Sequence, residues 1–83
     1  MTATQNEILK ALTIIFRNVF SDKTLCINPD TTPADVGNWK SLTHLDMIVE
    51  VEKHFNIRLP LKDITHIKTV SDLMSCIENR WNK

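Results

Sequence analysis

The stretch that decides the fold is Trp39-Lys40-Ser41-Leu42-Thr43-His44-Leu45-Asp46-Met47-Ile48-Val49-Glu50-Val51-Glu52-Lys53-His54-Phe55. With Leu42 at 0° and about 100° per residue, Met47, Ile48, Val51 and Phe55 span about 140° to 240°, a stripe fit to face a core. Leu42, Leu45 and Val49 span about 300° to 360° and form a second apolar stripe, flanked by Asp46, Glu52 and Lys53. A helix in a small bundle needs only one buried face. The second stripe is either covered by a neighbouring helix or left open to meet partners.

Outward from this helix the pattern stays helical. Upstream, Thr4-Gln5-Asn6-Glu7 reads as a capping box, followed by Ile8, Leu9, Leu12, Ile15, Phe16, Val19 and Phe20 on one arc, with Lys10 and Arg17 opposite. This predicts a first helix from 5 to 20. The connection from Ser21 to Lys40 is long and polar, and loops of such length in compact domains usually have a task. Asn28-Pro29-Asp30 reads as a turn, and Thr32-Pro33-Ala34-Asp35 as one short helical turn ending at Gly37-Asn38.

Downstream, Asn56-Ile57-Arg58-Leu59-Pro60 stops the second helix. A short third helix is expected from Leu61 to Ile67. Thr69-Val70-Ser71-Asp72 is another capping box, opening a last helix with Leu73, Met74, Ile77 and Trp81 on one side. The single glycine in the chain leaves few sites for hairpin turns. The expected fold is all-α: a four-helix bundle with a long first loop and a short third helix, one domain over 1–83.

Composition narrows the function. The 83 residues carry 10 Lys+Arg against 10 Asp+Glu, and 42% are hydrophobic, enough for one small core. Zero net charge without a basic block argues against a nucleic-acid footprint, and Ser71–Glu78 lacks the basic character of a helix-turn-helix reader. No run is long enough to span a bilayer, and the first residues lack the order of a signal peptide. Cys26 and Cys76 form no metal or disulfide pattern and read as reduced packing residues in a cytoplasmic protein.

Candidate chemistry is sparse. His44, His54 and His66 lack metal-ligand spacing, and His44 falls within the core stripe, where packing is its expected role. Asp46, Glu50 and Glu52 read as a solvated face. No nucleophile–base–orienter set can be read, so catalysis is not expected. Ser41 stands out by position. It suits an N-cap, and a phosphate ester there would meet the positive end of the helix dipole and free backbone N–H groups.

The run from Trp39 to Phe55, continued by Ile57-Arg58-Leu59-Pro60 and Ile67-Lys68-Thr69-Val70-Ser71-Asp72-Leu73, resembles the acyl carrier protein family. The resemblance covers essentially the whole chain, and it is the ordered combination of motifs that is specific. It implies that Ser41 takes the place of the family's modified serine and carries a 4′-phosphopantetheine arm, transferred from coenzyme A by a phosphopantetheinyl transferase. Acyl or aminoacyl groups would then be held as thioesters and presented to acyl-activating, acyltransferase or condensing enzymes. The family's docking face falls on Leu42, Leu45 and Val49, with Asp46 and Glu52 meeting basic residues on partners.

Two departures from the family pattern stand out. Lys40 replaces the Asp that normally precedes the serine, opposing the helix dipole and meeting a transferase that reads an acid with the wrong sign. The chain is neutral where fatty-acid carriers are strongly acidic, and Lys53 and His54 stand where acids are usual. The Trp39-to-Leu45 run looks more like stand-alone carriers outside housekeeping fatty-acid synthesis, and a monomer is expected. The alternative, which Lys40 favours, is a carrier-like fold without the arm, serving as an interaction subunit.

Overall fold

A computed structural model describes residues 3–81. In chain order they form α1 (Ala3–Val19), a 3-10 turn (Pro33–Asp35), α2 (Ser41–Phe55), α3 (Leu61–His66) and α4 (Val70–Arg80). Among the described residues there are four α-helices and no strand, as the periodicity predicts. α1 begins one residue before Thr4, so Thr4 lies inside the helix rather than capping it. The helix starts two residues nearer the N-terminus than the side-chain pattern alone marks.

The core is built from one stripe of each long helix. Ile8, Leu12 and Phe16 of α1, Met47 and Val51 of α2, and Leu73 and Ile77 of α4 are fully buried. The long first loop adds Ile27, Val36 and Trp39 to the same cluster. Phe16 meets Phe20 edge to face at 5.1 Å and Trp39 at 5.2 Å, so an aromatic group fills the end of the bundle nearest α2's start. At the other end Phe55 packs edge to face on Trp81 at 4.9 Å.

The first loop is a strap rather than idle chain. Arg17, on the outer side of α1, donates from Nε to the Leu25 carbonyl at 2.7 Å. Asn38 donates from Nδ2 to the Phe20 carbonyl at 2.9 Å, satisfying a group that α1 leaves open at its end. The loop also reaches the far helix. The Val70 and Ser71 N–H groups donate to the carbonyls of Thr31 (2.9 Å) and Pro29 (2.8 Å), so loop carbonyls satisfy the open first turn of α4. Thr31, buried, accepts the Asn28 N–H on its hydroxyl and holds that corner in shape.

The predicted capping box of α4 is present. Thr69 Oγ1 accepts the Asp72 N–H at 3.1 Å, and Asp72 Oδ2 accepts the Thr69 N–H at 3.2 Å. α2 ends at Asn56, whose left-handed backbone (φ 54°) closes the helix as asparagine tolerates well. Beyond it, Glu52 Oε2 accepts the Leu59 N–H at 2.9 Å and folds the connecting segment back under the helix.

Candidate functional site

α2 starts differently from a serine-capped helix. Lys40, in extended conformation, occupies the cap position, and Ser41 is the first helical residue. Thr43 fixes this start, as its hydroxyl accepts the Lys40 N–H at 2.8 Å and donates to the Asn38 carbonyl. The threonine two residues on thus makes the reciprocal bond back to the cap residue, no side chain caps the helix in the way expected of Ser41, and Ser41 is exposed at the first turn. That turn contains no acidic residue.

The two stripes of α2 separate cleanly. Met47, Ile48, Val51 and Phe55 are buried. Leu42 (74%), Leu45 (51%) and Val49 (47%) face solvent, so no helix of this chain covers the second stripe. Asp46 and Glu50 lie exposed beside it. Glu52 differs from them: it is half-buried and holds the Leu59 N–H. Lys53 and His54 are exposed on the last turn.

Beside Ser41 opens a cleft of about 510 Å³ between the start of α2 and α3. Lys40 and Ser41 form its rim, Leu45, Leu61 and Ile64 its apolar walls, and Trp39 with His44 its inner side. Trp39 donates its indole N–H to His44 Nδ1 at 2.8 Å, and the two rings lie within 17° of parallel. An indole N–H only donates, so Nδ1 must be the unprotonated nitrogen. His44 Nε2 then carries the proton and donates to the Ile64 carbonyl at 3.2 Å. The histidine expected to pack does so, and it ties α2 to α3.

α3 is held from its other side as well. Arg80 Nη2 of α4 meets Asp63 Oδ2 at 2.7 Å. The cysteines remain apart: Cys26 is exposed and Cys76 half-buried, both as free thiols. Burial pushes the Cys76 thiol up, with Asp63 and Asp72 adding to the effect and Arg80 opposing it. Among the described residues no group of three or more His, Cys, Asp and Glu side chains could hold a metal ion. Among the described residues no helix is long and apolar enough to cross a membrane.

The arrangement is the start of one helix with an exposed hydroxyl, an apolar strip beside it and a cleft at its foot. Trp39, Leu61, Ile64 and Thr65 join this site although the helical pattern of α2 does not mark them. The Ile64–Ile67 spacing announces α3, but only tertiary packing brings α3 to Ser41. Among the described residues no acid–base pair with a nucleophile is assembled there.

No family model matches the chain. An acyl carrier protein of Acidothermus cellulolyticus is 29% identical over 79 residues, 95% of this chain and 94% of that protein. The meromycolate extension acyl carrier protein of Mycolicibacterium smegmatis is 27% identical over 78 residues, covering 94% and 79%. The solution structure of a holo acyl carrier protein from Geobacter metallireducens superposes with a TM-score of 0.82 at 36% identity, over 88% of this chain and 84% of that one. The chain belongs to the acyl carrier protein family. It is a carrier of acyl groups and not an enzyme.

Proposed function

We propose that 1–83 acts as one carrier domain in which Ser41 is the attachment point of a 4′-phosphopantetheine arm. The observation that carries this reading is the exposed Ser41 hydroxyl on the first turn of α2. There, the helix leaves N–H groups without intrahelical acceptors and no carboxylate repels an incoming phosphate. The residues suit the group: the helix dipole and the exposed Lys40 both favour a phosphodiester at this position. When bound, the arm supplies a terminal thiol that holds an acyl or aminoacyl group as a thioester. The chain's own part is to hold the arm at a fixed point and to offer a surface that pathway enzymes dock on, which raises the local concentration of cargo.

Leu42, Leu45 and Val49 make up the apolar centre of that surface, and Asp46 steers basic partners towards it. Glu52 stands at the edge of the same face with one oxygen given to Leu59 and the other left for a partner. The partners are a phosphopantetheinyl transferase and the acyl-activating, acyltransferase or condensing enzymes of one specialised pathway. The neutral charge and Lys40 favour such a pathway over housekeeping fatty-acid synthesis, and the carrier is read as a cytoplasmic monomer.

Intact mass after incubation with coenzyme A, magnesium and a broad-specificity transferase tests the reading. One phosphopantetheine is gained, and Ser41→Ala gains none. An unchanged wild-type mass, with a standard carrier modified alongside, would overturn the assignment in favour of an armless interaction subunit.

A further inference from the structure

The cleft beside Ser41 has apolar side walls and a closed inner side. Trp39, 5% exposed, stands between the cleft and the core. Behind it Phe16 lies edge to face at 5.2 Å, and Phe20 at 6.1 Å, both fully buried. His44 holds the indole by its N–H and is itself held by the Ile64 carbonyl, so the tryptophan is fixed from the cleft side as well. A chain entering the bundle from this cleft must turn Trp39 aside. That breaks the part-buried hydrogen bond to His44, which costs free energy unless the indole N–H finds a new acceptor. It also gives up the contacts with two phenylalanine rings.

We infer that Trp39 is the stop that sets which acyl groups this carrier shelters: short aliphatic groups rest in the cleft, and methylenes beyond them stay in water. The inference rests on the reading of Ser41 as the anchor. His44 is the positioning residue that keeps the stop in place. The cargo class that follows is a short acyl thioester. A long alkyl chain gains nothing here by added length, because each extra methylene finds the wall of indole and not the core.

The test measures how protection depends on chain length. Ser41 is loaded with acetyl, butyryl or decanoyl phosphopantetheine from the matching coenzyme A thioesters. Loading is verified by intact mass, and each form is melted against its own unloaded protein. In parallel, Ser41→Cys in a Cys26→Ser background receives ethyl, butyl or decyl disulfides, which needs no transferase. A methylene taken fully out of water raises the melting temperature of a domain this size by roughly 3–6 °C. The expected result is a rise from the two-carbon to the four-carbon group and none from four to ten.

In Trp39→Leu the rise continues to ten carbons, and Trp39→Phe gives an intermediate slope. His44→Leu steepens the slope while His44→Gln, which can still accept from Trp39 and donate to Ile64, restores the wild-type pattern. Comparing each variant with its own unloaded form removes any general loss of stability. A wild-type melting temperature that climbs steadily to the ten-carbon group, in either format, would overturn the stop. A mass that never changes overturns the anchor instead, and the disulfide series still decides the stop.

Discussion

On the proposed reading, Lys40 is the residue that would bear most on which transferase accepts this carrier. It is exposed at the cap of α2, directly before Ser41, and nothing in the first turn offsets its charge. A transferase built to meet an acid there finds a like charge, which discriminates by repulsion. Lys40→Asp is expected to raise kcat/KM for modification by a transferase specific for acidic carriers roughly tenfold, the equivalent of about 1.4 kcal/mol. Steady-state rates with both proteins check this, and an equal or lower rate for the variant would sink the repulsion argument. A second residue-scale outcome concerns Asp22. The Thr24 hydroxyl (2.8 Å) and the Thr24 N–H (3.0 Å) both donate to its Oδ1, and these bonds hold its carboxyl below the usual carboxylate range, aided by Arg17. The stabilisation is present above the unfolded pKa and is lost as pH falls through the folded one. In Thr24→Val the Asp22 carboxyl should therefore titrate at higher pH, as followed by carbon NMR.

At the scale of elements, α3 is the part least able to stand alone. Six residues cannot sustain a helix in water, and none of them is buried. It is held by the His44 bond to Ile64, by Arg80 on Asp63, and by the Glu52 clamp that sets the segment leading into it. Glu52→Ala strands the Leu59 N–H and is expected to cost about 1–2 kcal/mol in urea unfolding. Asp46→Ala, out in solvent, should stay within about 0.5 kcal/mol. Arg80→Ala should speed amide exchange in α3 before α1 changes.

These elements differ in how far the sequence announces them. α2 and α4 are legible because a 3.6-residue apolar period and a Thr–Asp box are local signals. Two unread features are bonds between distant segments: Pro29 and Thr31 capping α4, and His44 reaching α3. Ser41 was legible as a special position, but its place inside the first turn was not, since Thr43 decides the start by reaching back to Lys40.

For the whole molecule, the division of α2 into a buried and an open stripe would separate stability from recognition if the open stripe is the proposed docking face. Leu45→Asp is expected to leave the helical circular dichroism and the melting point close to wild type, because Leu45 is half in solvent already. It should lower kcat/KM for modification tenfold or more, as charge replaces an apolar contact at the centre of a docked face. A variant that lost both together would show the stripe to be part of the core. The same separation lets a surface of zero net formal charge remain selective: a few ordered side chains, not an overall field, choose the partner.

The indole that walls the cleft also gives this protein an optical signal of its own. The chain has no tyrosine and two tryptophans, one at each end of the bundle. Trp39 lies edge to edge with an imidazole, its centroid 6.0 Å away, on the cleft that Ser41 also lines, whereas Trp81 sits on Phe55 at the opposite end. Indole emission follows the polarity around the ring and the groups in contact with it. Cargo arriving in the cleft, as proposed, would alter the surroundings of Trp39 and leave those of Trp81 as an internal reference. Removing Trp81 by Trp81→Phe would leave a single emitter at the cleft, so loading, unloading and partner docking could be followed in real time without a label.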